Sequence, residues 1–173
     1  MSNIKQFKYD WIWNKERGSN PLLANKQPMK SHEIISIFNS GIYYPVMREG
    51  KPYRPSNTGM KNILINKSKN SDKWIQTTDV NKRFPLSIQN FKIRSSGKNH
   101  TSEKPVALLE YLIKTYTLEN ETVLDNCMGS GSTGVACINT GRNFIGIEKE
   151  ENYFNIAKKR IDEAISDMAG RLF

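Results

Sequence analysis

The chain is 173 residues long, 37% hydrophobic and 25% charged, with a formal net charge of +9, which fits one domain with a substantial core. Two cysteines, two histidines and no CxxC pair argue against a structural zinc site. No apolar run reaches membrane-spanning length and residues 1–5 lack a signal-peptide core, so a reduced, soluble, cytoplasmic chain with no membrane partner is expected.

The charge is unevenly placed. Residues 43–98 hold twelve Lys/Arg against three Asp/Glu, while the excesses of the flanking segments cancel. A basic excess confined to one segment is the footprint of a polyanionic partner; the bland alternative is a solvated, lysine-rich surface.

In chain order, residues 7–13 alternate large apolar and polar side chains at period two and predict a strand, with Trp11 and Trp13 as core. Residues 18–30, with Gly18, Pro21 and Pro28, predict a long loop. Residues 33–38 are nearly continuous in apolar character and predict a central strand buried on both faces. From residue 40 to 97 periodicity fades. Three prolines between residues 43 and 55 leave almost no room for a helix, and only residues 62–66 and 73–77 read as short strands. Long basic loops in a compact domain are usually functional or mobile rather than core.

Order returns near Ser102, whose hydroxyl, or that of Thr101, is a candidate cap for a helix running to Tyr116. Val106, Leu109, Leu112 and Ile113 share one face of that helix, and Pro105 falls in its first turn. A strand at Thr122–Asp125 follows, then a glycine turn, a helix over 133–140 capped by Gly141, a strand over 144–148 and a helix over 153–168. This β-α-β-α run implies parallel strands joined by a right-handed crossover.

The turn Gly129-Ser-Gly-Ser-Thr-Gly134 matches GxGxxG, and Glu148 stands where an acid would grip a ribose diol. That pattern alone suggests NAD. Asp125 argues against it, because a carboxylate four residues before the first glycine would repel a pyrophosphate. It suits a cofactor whose end near the turn carries an ammonium group, as S-adenosylmethionine does. The alternative without a ligand is a tight strand-helix turn that needs glycine for packing only.

These residues carry a resemblance to a known family. Val123-Leu-Asp-Asn-Cys-Met-Gly-Ser-Gly-Ser-Thr133, His100-Thr-Ser-Glu-Lys-Pro-Val-Ala-Leu-Leu109, and Gly141-Arg-Asn-Phe-Ile-Gly-Ile-Glu148 followed by Tyr153 and Ala157-Lys-Lys-Arg160 resemble motifs of DNA methyltransferases. These are the site-specific enzymes that methylate exocyclic amino groups, N6 of adenine or N4 of cytosine. The resemblance covers nearly the whole chain, and its motif order is similar to the family's beta-type arrangement. It implies an α/β, Rossmann-like, S-adenosylmethionine-dependent methyltransferase sheet with a long basic insertion. Residues 1–39 would be late strands of the catalytic half, 40–98 a target-recognition-like region, and 99–173 the cofactor half.

The resemblance implies cofactor contacts from Ser102, Lys104, Pro105, Asp125, Asn126, Cys127, Gly129, Ser130, Gly131, Ser132, Thr133 and Glu148. Asp125 would take the ammonium, the backbone of residues 129–132 the carboxylate, Glu148 the ribose, and Lys104 and Pro105 would form a wall beside the methionine end. Thr101 replaces the first proline of the family's H-P-T-x-K-P motif, which loosens that contact. Double-stranded DNA would be met by Arg48, Lys51, Arg54, Lys67, Lys69, Lys73, Lys82, Arg83, Lys92 and Arg94, with Tyr53, Trp74 and Phe84 as candidate stacking residues whose plainer role is packing.

One departure dominates. The family's catalytic motif, Asp/Asn/Ser-Pro-Pro-Tyr/Phe/Trp, holds the amino nitrogen of a flipped base, and no Pro-Pro pair occurs in the 173 residues. The resemblance therefore implies that about three strands are missing, which would leave unpaired backbone groups at about 1–3 kcal/mol for each one buried unsatisfied. The remaining strand pairs could close on each other, an upstream polypeptide could supply the strands, or a second copy could do so. The expected function is thus a fragment or degenerate form of a DNA amino-methyltransferase, inactive alone and without catalytic residues of its own. The alternatives are a non-catalytic DNA- or protein-binding regulator or decoy, and a disfavoured NAD-dependent oxidoreductase. His32 and His100 are expected to be structural.

Overall fold

The computed structural model describes residues 4–19, 21–39, 41–51, 81–93 and 103–170. They form two compact bodies, one drawn from residues 1–44 and 87–173, the other from 45–86.

The first body contains a three-stranded sheet built on β1 (Phe7–Ser19), which pairs antiparallel with β2 (Lys30–Phe38). A three-residue strand, Ile88–Asn90, pairs parallel with β1 on its other side. Alternation decides which face is buried. Trp11 and Trp13 point to one face and are 4% and 2% exposed, each contributing roughly 1.5–3 kcal/mol by burial. Their indole N–H groups also find partners, Trp11 donating to the Tyr116 hydroxyl at 2.6 Å and Trp13 to the Phe91 carbonyl at 2.7 Å.

The sheet departs from the sequence expectation at two places. Residues 14–19 continue β1, so the predicted loop shrinks to a 3-10 turn at Pro21–Leu23 and the few residues after it. β2 is not a central strand: among the described residues it pairs with β1 alone, its burial alternates, and Ile34 is 61% exposed. The apolar run at 34–38 misleads because alternation sends Ile34 and Phe38, with Ser36, to the exposed face, and only Ile35 and Ile37 share the face of the tryptophans.

The helix α1 (Val106–Tyr116) covers the tryptophan face, with the Tyr111 ring edge-on to Trp11 at 5.7 Å. Pro105 stands at its N-cap, one position before the first turn, and no side chain caps it. Its cap candidates Thr101 and Ser102 lie outside the described residues, as do the strands expected at 62–66 and 73–77.

The β-α-β-α run forms as expected. Thr122–Asp125 and Asn143–Gly146 pair in parallel, with α2 (Ser132–Thr140) between them in sequence and α3 (Glu151–Gly170) following. Gly141 ends α2 in the left-handed region (φ +71°), and Arg142 N–H reaches back to the Cys137 carbonyl at 2.9 Å. The core is a cluster of Ile113, Ala136 and Cys137, lined by Val106, Leu109, Val123 and Phe144. Burial pushes the Cys137 thiol up to about 11, with Arg142 acting weakly in the opposite sense.

The second body contributes a two-stranded ladder, Arg48–Glu49 with Lys82–Arg83. Numbering in chain order, these are β3 and β4, Ile88–Asn90 is β5, and the parallel pair is β6 and β7. Among the described residues no ladder joins β6–β7 to the three-stranded sheet. No described helix is long and apolar enough to cross a membrane.

The glycine turn packs directly on the backbone of α3. A Cβ on Gly131 (φ +78°) would lie 2.8 Å from Ala157 Cβ and 2.9 Å from its Cα. Gly131→Ala is therefore expected to lower unfolding free energy by about 2–3 kcal/mol, from overpacking and positive φ together. Denaturant melts of the two chains measure it, and equal midpoints would contradict the packing described.

Candidate cofactor site and basic segment

The two carboxylates singled out in the sequence emerge together at the C-terminal ends of β6 and β7. Parallel pairing in register, Asp125 opposite Gly146, puts them there. The ladder runs on past the strands, Ile147 N–H donating to the Asp125 carbonyl (2.8 Å) and Met128 N–H to the Ile147 carbonyl (3.0 Å).

Asp125 closes the turn on itself. One carboxylate oxygen accepts the Cys127 N–H at 3.0 Å and the other the Thr133 hydroxyl at 2.6 Å, which binds the end of β6 to the first turn of α2. Glu148 reaches the same turn from β7. It accepts Gly129 N–H at 2.8 Å, and its second oxygen accepts the N–H groups of Lys149 (2.9 Å) and Glu150 (3.0 Å) just before α3. Between them the backbone reverses at Gly129 (φ +53°) and Gly131. Ser130 and Ser132 are buried, Gly129 and Thr133 half-buried, Asn126 and Cys127 exposed.

The neighbouring segment contributes differently. Lys104 Nζ lies 3.1 Å from Glu33 Oε2 and 6.0 Å from the centre of the Trp13 ring, while Lys15 Nζ lies 2.5 Å from Glu33 Oε1 and 5.4 Å from that ring. Partial burial pushes the Glu33 carboxyl up, but hydrogen bonds from Lys15 and Lys104 and their charges outweigh it, holding the group below its ordinary 4.5. Lys104 is thus anchored to β2.

The turn offers a ligand with a cationic end and a diol two carboxylates, two positive-φ glycines and the amide-rich start of a nine-residue helix. It is a shelf at the strand ends. A groove of about 450 Å³ runs along the outer face of α3 beside Asn155, Asp162 and Ser166, away from this chemistry.

Residues 1–159 match the family N6_N4_Mtase, described as DNA methylase. The chain belongs to this DNA methylase family.

The chain is 47% identical over 68 residues to the Type II methyltransferase M2.LlaDCHI of Lactococcus lactis subsp. cremoris, a match covering 39% of this chain and 25% of the relative. It is 42% identical over 71 residues to the Type II methyltransferase M2.DpnII of Streptococcus pneumoniae, covering 41% and 26%. The crystal structure of the M1.HpyAVI–SAM complex superposes with a TM-score of 0.56 at 28% identity, covering 90% of this chain and 62% of that one. The cytosine-N4-specific PvuII DNA methyltransferase shares the fold, with a TM-score of 0.57 at 16% identity over 95% and 57% of the two chains. The chain therefore spans about a quarter of the curated relatives it matches and about three fifths of these solved chains. Its fold is an incomplete Rossmann-like methyltransferase fold.

The basic residues of this chain are only partly described. Arg54, Lys67, Lys69, Lys73 and Arg94, with Tyr53 and Trp74, lie outside the described residues. Arg48 and Arg83 serve their own hairpin: Arg48 Nε donates to the Phe84 carbonyl at 3.1 Å, and Arg83 donates to the carbonyls of Lys82 and Lys51. Lys51 and Lys82 are exposed and Phe84 is half-exposed. Lys92 belongs to the other body, where it lies 3.8 Å from Glu16.

Sequence reasoning missed Arg160, which reaches from α3 to the turn, and Glu33, which holds Lys104. Arg160 had a readable signal, being three residues after Ala157 on the packed side of an amphipathic helix. Glu33 had none, since its partner is more than seventy positions away.

Glu33→Gln is expected to cost about 0.5–1 kcal/mol at neutral pH, kept small because the carboxylate still touches solvent. A carboxyl lowered in the folded state stabilises fully above its unfolded value and ceases to do so as pH falls through the folded value. The stability gap between wild type and variant should thus be constant from pH 7 to about pH 5 and close below about 4.5. Thermal melts across that range measure it, and a gap that persists at pH 3 would refute the assignment.

Proposed function

We propose that this chain forms the methyl-donor half of a DNA amino-methyltransferase: it binds S-adenosylmethionine at the glycine turn, contacts DNA through its basic segment, and transfers no methyl group by itself. The observation that carries the reading is the convergence of Asp125 and Glu148 on one glycine turn at the ends of parallel strands. Membership of the DNA methylase family supports it.

S-adenosylmethionine would supply an electrophilic methyl group. The residues present would bind and orient it: Asp125 facing the ammonium, amides of residues 129–132 the carboxylate, Glu148 the ribose. Asn126, Cys127 and Thr133 belong to the same turn, Lys104 and Pro105 would form the wall beside it, and Ser102 joins the cofactor contacts on the resemblance alone. Methyl transfer to an exocyclic nitrogen also needs that nitrogen held in line. The family's Pro-Pro motif for this does not occur in the sequence, and N6 of adenine and N4 of cytosine both remain open as acceptors.

The assignment of residues 1–39 to late catalytic-half strands, 40–98 to target recognition and 99–173 to cofactor binding belongs to the same proposal. So does a cytoplasmic location. A partner polypeptide or a second copy bearing the missing strands is supported by the apolar face of β6–β7, where neighbouring Leu124 and Ile145 are 62% and 54% exposed.

Equilibrium dialysis with labelled S-adenosylmethionine tests the first claim. Binding by the wild-type chain is expected, weakened about tenfold or more by Asp125→Ala or Glu148→Ala, while unmethylated DNA gains no label. Label retained on DNA by this chain alone would overturn the half-enzyme reading.

A regulator or decoy that binds DNA without methylating it rests on the same basic segment. Both readings require DNA affinity to fall steeply with salt, by a factor of roughly 10³ between 50 and 200 mM if six phosphates are met. Titration by fluorescence anisotropy measures this, and a flat salt response would remove the electrostatic assignment from both. An isolated chain that binds DNA but no S-adenosylmethionine would favour the decoy.

A further inference from the structure

We propose that Arg160 is a positioning residue that sets the binding shape of the glycine turn, its guanidinium held in place by Glu103. The inference deepens the cofactor reading above and rests on it for its ligand.

The geometry is closed. Arg160 Nη1 donates to the Ser130 carbonyl at 2.6 Å and to the Ser130 hydroxyl at 2.9 Å, with the Ser132 hydroxyl at 3.4 Å. Its Nη2 lies 3.0 Å from Glu103 Oε1, in a pair whose side chains are 15% and 5% exposed. The Ser132 hydroxyl lies 3.5 Å from the same Glu103 oxygen. One guanidinium thus joins α3, the turn and the residue before Lys104.

The turn needs such a tie. Ser130 sits between two positive-φ glycines, so its peptide planes have more rotational freedom than in an ordinary chain. The C=O and N–H of one peptide point in opposite directions. Drawing the Ser130 carbonyl toward Arg160 therefore aims the Gly131 N–H at the Met128 carbonyl, which it meets at 2.9 Å. A flip of this peptide would lose the charge-assisted bond and the turn closure together. Arg160 acts on a ligand through that backbone.

Lysine cannot replace it. An ammonium is a point donor and cannot span Ser130 and Glu103 in one plane. Removing the cation altogether would leave Glu103 as a nearly buried charge without this partner.

Amide hydrogen exchange on the full chain without ligand reads the turn directly. In Arg160→Lys the Gly131 amide should exchange about tenfold faster or more, with Ala136 and Cys137 in α2 as protected as in wild type. Glu103→Gln carries the same test at smaller amplitude should Arg160→Lys fail to fold. In Ser130→Ala, which keeps the carbonyl, Gly131 exchange should rise less than in Arg160→Lys. Affinity for S-adenosylmethionine should fall about tenfold in Arg160→Lys.

Unchanged Gly131 exchange, or exchange that rises equally throughout α2, would overturn the proposal and leave Arg160 a general packing residue. Failure of the wild-type chain to bind S-adenosylmethionine would overturn the cofactor reading instead, while the exchange result would still decide the role of Arg160.

Discussion

The structure depends on how closely α3 lies against the turn that ends β6. Ala157 is fully buried there, and its backbone stands where any side chain at position 131 would go. That approach fixes the chemistry of several neighbours at once. Position 131 has to be glycine, position 157 has to be small, and the polar backbone enclosed between them needs partners from within the junction. Met128 supplies an acceptor, Arg160 a donor, and Asp125 and Glu148 supply the acceptors that hold the turn from its two strands.

From this junction one can follow how the first body is joined. Glu103 and Lys104 are consecutive and oppositely charged, and they bind in different places: Glu103 to Arg160 on α3, Lys104 to Glu33 on β2. Two adjacent residues thus tie the β6–β7 assembly to the three-stranded sheet, where no ladder does so among the described residues. Neither pair is a large source of stability, because desolvation offsets most of the attraction in the nearly buried one and solvent screens the other. Their effect is geometric. The larger energy comes from apolar burial between α1 and α2, in the cluster of Ile113, Ala136 and Cys137.

The parts legible in the sequence were those governed by local rules. β6 was read to the residue, Gly141 to its capping role, and Trp11 and Trp13 to the core, because alternation, positive-φ glycine and aromatic burial each act over a few residues. β2 was misread because apolar content does not tell which of two faces has a neighbour. The turn is legible as a glycine motif and helix spacing puts Arg160 on the packed side of α3, whereas the bonds of Thr133 to Asp125 and of Arg160 to Ser130 depend on packing that no short pattern encodes. The charge count located a basic segment, yet it could not reveal that Arg48 and Arg83 donate to carbonyls of their own hairpin.

That both acids already hold the turn constrains any ligand placed there. A carboxylate offers about four lone-pair positions. Asp125 accepts from Cys127 and Thr133, and an ammonium added to it would bring charge without requiring either bond to break. Glu148 accepts three backbone N–H groups, so a diol donating two more bonds would exceed what it offers and would have to displace one. Those from Lys149 and Glu150 come from residues adjoining Glu148 at the start of α3, whereas Gly129 N–H belongs to the turn itself. Its release would free a turn amide for an anionic group. Under the proposed reading, the ribose and carboxylate ends of the cofactor are then coupled through Gly129: Glu148 exchanges a backbone donor for hydroxyl donors, and the donor it gives up becomes available to the carboxylate. The internal bond lost lowers the net gain from binding by about the 1–3 kcal/mol of a charged hydrogen bond, and the turn keeps its shape in exchange for that loss only if its other ties, above all Arg160 on Ser130, hold.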